Sequence, residues 1–123
     1  MTPPSSPRRS PGAPAGVDAV FTALADPTRR AVLRGVVDRS PVTATELAHD
    51  LPISRQAVAK HLGILRDAGL VEPSRHGRET RFTAQPEALA PVARWMEDTS
   101  RAWSHRLTRL ERLVTRRTDG PVD

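Results

Sequence analysis

Two helix-start signals stand eleven residues apart in this chain, with a proline between them. Thr43 and Glu46 have the spacing of a capping box, in which each side chain satisfies a free backbone N–H group of the other residue. The short helix that follows must end at Pro52, because proline cannot continue an ordinary helix. Ser54 is then placed to cap a second helix, expected over about 55–68. Only a tight turn fits between the two helices, so they must pack closely together.

Two more helices are predicted before this pair. Asp26 and Pro27 are typical of a helix start, because aspartate accepts free N–H groups and proline suits the first turn. That helix extends to about residue 38. Upstream, the spacing of apolar residues predicts a further helix, whose apolar face consists of Val17, Val20, Phe21 and Leu24.

The pattern changes from helical to alternating after Gly69, which is suited to end the second capped helix. Short strands are predicted at 70–71 and 80–83, around a glycine turn at 76–78. Pro86 then opens a final helix that extends to about residue 115. Two close helices followed by a hairpin are typical of a winged helix-turn-helix. The predicted fold is therefore mainly α with a small β-hairpin wing.

The folded domain is predicted over residues 17–115, within a chain of 123 residues. Residues 1–16 are rich in proline and serine and carry no large apolar side chain after Met1, so we expect a disordered tail. Residues 116–123 are expected to form a second, flexible tail. The chain contains no cysteine, which excludes disulfides and thiolate metal sites, and no apolar run long enough for a membrane span. We expect a cytoplasmic protein.

The second capped helix has two faces of different chemistry. Val58, Leu62 and Leu65 share one face and are the predicted core contacts. The other face is polar and positive at its N-terminal end, the end that a recognition helix presents to bases in the major groove. Gln56 can pair with adenine and Arg55 with guanine, through two hydrogen bonds each. The predicted DNA contacts of this region are Arg55 and Gln56 for bases, Ala57 and Ala59 for thymine methyl groups, Ser54, Lys60 and His61 for phosphates, and Thr43.

Arginines surround the turn of the predicted hairpin. Arg75, Arg78 and Arg81 are candidates for contact with the minor groove or the DNA backbone. Residues 52–83 carry six basic against three acidic side chains, a net charge of +3, whereas residues 17–51 carry four against five, a net charge of −1. The positive charge therefore collects where contact with a polyanion is predicted.

Other classes of function stay open from the residues alone. The basic face could bind an acidic protein, or could bind DNA without sequence preference. Gln56 and Arg55 argue against the second case, since backbone binding needs no base-reading pair. An enzyme is disfavoured, because the chain has no glycine-rich phosphate loop and no recognisable nucleophile elbow. Salt-dependent, sequence-preferring binding to duplex DNA discriminates among these functions.

Several segments resemble the ArsR (ArsR/SmtB) family of bacterial transcription regulators. They are residues 23–30, 46–48, 51–62, 68–71 and 75–78, and the resemblance extends over about 20–115. The tryptophan-bearing last helix is similar to that of a cysteine-free branch of the family. The resemblance implies a homodimeric repressor that binds an inverted repeat in its own promoter. It also implies dimerisation through the first and last helices.

The apolar faces of those two helices fit such an interface. The last helix is longer than a domain of this size can cover, so part of its apolar face is free for a partner. The predicted dimerisation residues are Val17, Val20, Phe21, Leu24, Leu89, Val92, Trp95, Met96, Trp103, Leu107 and Leu110.

The metal sites of the family are not recognisable in this sequence. Thr43 and Thr45 stand where metal-sensing members carry a Cys-x-Cys pair, and hydroxyls are poor ligands for soft metals. The last helix has a single histidine, His105, and lacks the Asp-x-His and His-x-x-Glu pairs of the other family site. We therefore predict no metal and no cofactor. The sequence does not identify a small-molecule effector.

Overall fold

The computed structural model describes residues 16–118 of the chain, and the side chains of residues 16–116. The predicted N-terminal tail, apart from Gly16, and residues 119–123 lie outside the described residues. The last helix extends to Thr118, so residues 116–118 are helical where the sequence predicted the start of a flexible tail. The chain divides into two compact units, one that ends at Val92 and one that begins at Ala93.

Four short helices belong to the first unit. They are α1 (Val17–Leu24), α2 (Pro27–Arg39), α3 (Ala44–Asp50) and α4 (Arg55–Asp67). The last three begin at the side-chain caps that the sequence predicted. The Asp26 carboxylate accepts hydrogen bonds from the N–H groups of Thr28 and Arg29, at 2.8 and 3.2 Å. Ser54 Oγ accepts from the Ala57 N–H at 3.1 Å. Local contacts therefore fix where these helices start.

Three strands form the sheet, rather than the predicted two. They are β1 (Val42–Thr43), β2 (Val71–His76) and β3 (Glu79–Ala84), antiparallel and in the order β1-β3-β2. In β1, Val42 pairs with Phe82 and Thr43 pairs with Arg81. A strand of two residues shows no alternation, so nothing in its sequence pattern marks it. Pro73 is tolerated in β2 because that strand lies at an edge of the sheet.

Apolar side chains from the four helices and the sheet meet in one core. Val58, Leu62 and Leu65 of α4 are completely buried, which confirms the predicted core face of this helix. The buried apolar residues are Val17, Val20, Ala23, Val32, Val36, Val42, Leu47, Val58, Leu62, Leu65, Leu70, Val71 and Val92. Because α4 buries one face in this core, its opposite face is available to a ligand.

Three residues of the predicted dimer interface are buried in the single chain. Val17, Val20 and Val92 expose 7% or less of their surface, because their own chain covers them. Their part in a dimer stays a prediction. Helical spacing in the sequence identifies an apolar face but not the neighbour that covers it. Phe21 and Leu89 keep 38% and 39% of their surface exposed, and Leu24 is half-buried.

The final helix, α5 (Ala90–Thr118), provides the second unit from Ala93 onward. A 3₁₀ turn over Pro86–Leu89 precedes it, so the helix predicted to open at Pro86 begins with this tighter geometry. Within residues 16–118, no helix combines the length and the apolar character that crossing a membrane requires.

Candidate nucleic-acid interface

The first turns of α4 present an exposed polar face. Arg55, Gln56 and Lys60 are exposed, and their side chains form no hydrogen bond or ion pair with any other residue within 16–118. Ser54 uses its Oγ as an acceptor for the helix cap, so its hydroxyl hydrogen is available to donate. This face thus combines groups suited to bases with groups suited to phosphates.

Two predicted contacts on α4 are less accessible. Ala57 is half-buried, whereas Ala59 is exposed. His61 is also half-buried, and its Nδ1 atom is buried without a hydrogen-bond partner in the described part of the chain. The pKa of Asp26, at the start of α2, is lowered mainly by the backbone N–H of Arg29 and also by the charges of Arg29 and His61. His61 is therefore less accessible than Arg55, Gln56 and Lys60, and its contact with a phosphate stays a prediction.

An arginine anchor joins α1 to α2. The side chain of Arg29 is only 13% exposed, and its guanidinium donates to the Ala23 carbonyl at 3.3 Å. The same guanidinium lies 3.7 Å from the Asp26 carboxylate. Arg30 donates to the Leu24 carbonyl at 2.6 Å. Positive groups stabilise the C-terminal end of a helix, where carbonyls lack partners. This anchor was not predicted, although the i, i+3 spacing of Asp26 and Arg29 was a usable signal.

The capping box at the start of α3 is confirmed. Thr43 Oγ1 accepts from the Glu46 N–H, and the Thr43 N–H donates to Glu46 Oε1, each at 3.1 Å. The pKa of Glu46 is lowered first by the Thr43 backbone N–H, then by the Thr43 hydroxyl and by the charges of Arg39 and Arg81. Thr43 therefore serves the helix start, and its contact with DNA stays a prediction.

The wing is a hairpin with a two-residue turn. His76 pairs with Glu79 across the turn, and Gly77 has φ +64°, a conformation that favours glycine at the first turn position. Arg75 and Arg78 are exposed, and neither side chain has a hydrogen bond or ion pair within the described residues. These two arginines are therefore available for a phosphate or a narrow minor groove.

Arg81 differs from the other two wing arginines. Its guanidinium pairs with the Glu79 carboxylate at 3.2 Å, and the residue is half-buried. It also lies close enough to Glu46 to lower the pKa of that residue after the contributions of Thr43 and Arg39. Arg81 was the less favoured of the predicted wing contacts; its guanidinium is already paired with a carboxylate, and its contact with DNA stays a prediction.

Comparison with known proteins agrees with this geometry. A helix-turn-helix domain family matches residues 24–74. YuzN of Bacillus subtilis (strain 168), described as an uncharacterized HTH-type transcriptional regulator, is 41% identical over 87 residues, which cover 65% of this chain and 95% of YuzN. The transcriptional repressor SdpR of the same organism is 31% identical over 77 residues, 63% of this chain and 84% of SdpR. An ArsR-like transcriptional regulator from Rhodococcus sp. RHA1 matches in structure with a TM-score of 0.71 and 39% identity, over 80% of this chain and 92% of that chain.

The chain belongs to the ArsR family of transcriptional regulators.

Membership of the ArsR family confirms the predicted winged helix-turn-helix fold. It also confirms a DNA-binding transcriptional regulator rather than an enzyme. Which residues contact DNA, and whether two protomers associate, stay predictions.

The described part of this ArsR-family chain shows no cluster of side chains that could hold a metal ion. Within residues 16–118, no group of three or more histidine, aspartate or glutamate side chains lies close enough together to hold a metal ion. Thr43, which the resemblance to the family matched with a cysteine of metal-sensing members, is engaged as the cap of α3. A hydroxyl in that role is a poor ligand for a soft metal.

Apolar side chains form a seam along α5. Its positions alternate between steps of four and three residues, and the seam consists of the apolar Met96, Trp103, Leu107, Leu110 and Val114, with the polar Ser100 between Met96 and Trp103. This repeat of 3.5 residues is typical of a helix that packs along another helix. Met96, Trp103, Leu107 and Leu110 keep 45–64% of their surface exposed. Trp95 is half-buried and lies off the seam.

Proposed function

We propose that the protein is a homodimeric transcriptional repressor that acts in the bacterial cytoplasm by binding an inverted repeat in a promoter. The observation that carries this proposal is the exposed N-terminal face of α4, whose Arg55, Gln56 and Lys60 side chains have no partner within residues 16–118. Repression is supported by the similarity to SdpR, which is named a transcriptional repressor. Occupation of a promoter would block access of polymerase to it.

Each group on this face has a role in the proposal. Gln56 and Arg55 would read adenine and guanine in the major groove, and the exposed Ala59 would meet a thymine methyl group. Ser54 and Lys60 would bind phosphates and fix the position of the helix on the duplex. The wing would add two guanidinium groups, from Arg75 and Arg78.

Dimerisation is proposed through exposed apolar surface. The seam on α5 leaves Trp103, Leu107 and Leu110 largely in solvent in a single chain. Such a row of apolar side chains is unfavourable unless another surface covers it. A second copy is the proposed partner, because a two-fold dimer matches the symmetry of an inverted repeat. The exposed Phe21 and Leu89 are candidates for additional contacts.

Fluorescence anisotropy tests the proposal. The purified protein would be titrated into a labelled duplex from the region upstream of its own gene and into a shuffled duplex, at roughly 0.15 M salt. We expect a preference of about a thousandfold for one sequence, with two protomers per site. If the upstream duplex is not preferred, selection from random DNA gives the protein a free choice of site. Equal, weak binding to all selected and shuffled sequences would contradict the proposal.

A further inference from the structure

A dense group of positive charges lies outside the predicted reading region, in the part of α5 that follows Asp98. Residues 99–116 carry five arginines and one carboxylate, that of Glu111, which gives a net charge of +4 over 18 residues. Residues 52–83, which include the recognition helix and the wing, carry +3 over 32 residues. Solvated helices usually interleave both signs of charge, since like charges four residues apart destabilise a helix. The C-terminal end of the helix favours Arg116, in its last turn, but helix stability does not explain the arginines that precede it.

Most of this charge lies on one face. Arg101, His105, Arg109, Arg112 and Arg116 follow one another at steps of four, four, three and four residues. At 100° per residue, this row, the basic face of α5, is on the opposite side of the helix from the apolar seam. Every residue of the row is exposed.

The arginines of the basic face have few internal partners. Arg101 pairs with Asp98 on the same helix. The side chains of Arg109, Arg112 and Arg116 form no ion pair or hydrogen bond with any residue in 16–116. Three guanidinium groups that each can bind a phosphate through two hydrogen bonds are thus presented together.

We propose that the basic face of α5 is a second binding surface for the phosphate backbone of duplex DNA, independent of α4. The row from Arg101 to Arg116 spans about 22 Å of helix. That length matches about six phosphates of one DNA strand, which follow one another every 3.4 Å along the duplex axis. Contacts with phosphates carry no sequence information, so we expect binding through this face to be without regard to sequence.

The apolar seam favours DNA over a membrane as the partner. A helix that lies in a lipid surface inserts a broad apolar face among the acyl chains. The seam of α5 is narrow, has a polar residue at Ser100 and follows the 3.5-residue repeat of paired helices. A helix partner on the seam leaves the basic face outward. A pair of α5 helices then doubles the positive charge, and a polyanion relieves the resulting repulsion.

The test compares two variants with the same loss of charge. The first carries Arg109→Gln, Arg112→Gln and Arg116→Gln on the basic face. The matched control carries three exposed arginines changed elsewhere, Arg34→Gln, Arg66→Gln and Arg94→Gln. Both are made in a background with Arg55→Gln and Lys60→Gln, which weakens binding through α4. The probe is a labelled 60-base-pair duplex of random sequence.

In this background we expect the basic-face variant to bind about tenfold more weakly than the control at roughly 0.1 M salt. The slope of log Kd against the logarithm of the salt concentration should also be smaller by about two to three. Each lost phosphate contact lowers this slope by about 0.9. A bridging assay gives an independent readout. Wild-type protein bound to an immobilised duplex should capture a second labelled duplex, whereas protein with the three basic-face substitutions alone, and α4 intact, should not.

Further measurements separate the alternatives. Replacement of the same three arginines by lysine keeps the charge and should retain most of the binding, whereas a merely structural effect would not be rescued. Equal binding by the basic-face variant and its control, with the same helical content and oligomeric state, would overturn the proposal.

A membrane partner is tested with vesicles of phosphatidylglycerol and phosphatidylcholine. If wild-type protein binds these vesicles, and the basic-face variant loses this binding while its DNA binding is unchanged, the face would be assigned to membranes instead. The preference for a selected operator over a shuffled duplex is measured in protein that carries only the basic-face substitutions. This preference depends on α4, so it tests the proposed function separately from the basic face.

Discussion

A Cβ atom on Gly35 would stand 2.6 Å from Cδ2 of Leu47, closer than side-chain atoms approach each other in folded proteins. Gly35 lies in α2 and Leu47 in α3, and Leu47 is 1% exposed, so a displaced leucine would have to shift within the buried core. Gly35 therefore sets the distance at which α3 packs against α2. We expect Gly35→Ala to lower the free energy of unfolding by about 1–3 kcal/mol, measured by urea denaturation.

Gly63 in α4 is the matched control for that substitution. A Cβ there would meet only the Arg66 guanidinium, at 4.0 Å. Gly63→Ala should raise the free energy of unfolding by about 0.5–1 kcal/mol, because alanine loses less backbone entropy in a helix than glycine. If both alanine variants were stabilised, close packing of α2 and α3 would not be the reason for Gly35.

Gln56 and Lys60 should differ in their effects on DNA binding. Gln56→Ala should cost about 1–3 kcal/mol for one base pair of the operator and relax the preference at that position. Lys60→Ala should weaken binding to all sequences alike. It should also lower the slope of log Kd against log salt concentration by about one, the contribution of one phosphate contact. Anisotropy with single-base operator variants measures both. An unchanged preference in Gln56→Ala would remove this residue from the base-reading set.

The pairing of Arg81 with Glu79 predicts a gain of affinity on removal of a carboxylate. Glu79→Gln releases the guanidinium that it holds at 3.2 Å and removes a negative charge from the wing. We expect tighter binding to every duplex. The slope of log Kd against log salt concentration should rise by about 0.9, the contribution of one added phosphate contact. Glu72→Gln is the control, since Glu72 accepts a hydrogen bond from Gln85 at 2.9 Å, away from the arginine. Equal effects of the two substitutions would indicate a general effect of net charge only.

The capping box predicts how stability varies in acid. The pKa of Glu46 is lowered in the folded state by the Thr43 N–H and hydroxyl and by the charges of Arg39 and Arg81. In acid, the unfolded chain then binds more protons at this site than the folded chain. The free energy of unfolding should therefore fall as the pH drops from about 5 to 3. Urea denaturation at several pH values should show a shallower fall for Glu46→Gln than for wild type. Parallel curves would contradict this assignment.

The seam of α5 makes a prediction about association. Leu107→Glu places a carboxylate on the seam, whereas Ala102→Glu places the same group away from it. We expect Leu107→Glu to raise the dimer dissociation constant by at least about a hundredfold, because burial of an unpaired charge is unfavourable. Ala102→Glu should leave the constant nearly unchanged. Sedimentation equilibrium measures both, and a dimer that tolerates Leu107→Glu would place the interface elsewhere.

Helix starts were the most predictable part of the fold. Asp26, Thr43 and Ser54 each accept a backbone N–H group within three residues of themselves, so the information for each start is local in the sequence. The core face of α4 was predictable for a related reason, because the spacing of Val58, Leu62 and Leu65 defines a single helical face.

Contacts between distant segments were not predictable in the same way. β1 exists because Val42 and Thr43 pair with a strand almost forty positions later, and two residues carry no pattern of their own. The burial of Val17 and Val20 depends on which helix covers them. His61 was assigned to phosphate from its place on the helix, but its partly buried ring lies near Asp26, on another helix.

The pairing of Thr43 with Arg81 encloses the reading unit within a loop of the chain. α3, α4 and the wing turn all lie between these two residues, and β3 holds both ends of that stretch to the sheet. The amides of α4 therefore cannot exchange with solvent through unfolding of one end of this stretch alone, because the pairing of β1 with β3 holds its two ends together. The segment that reads DNA should open as a single cooperative unit, with similar protection of the hydrogen-bonded amides in α3, α4 and β2 rather than a gradient along the chain.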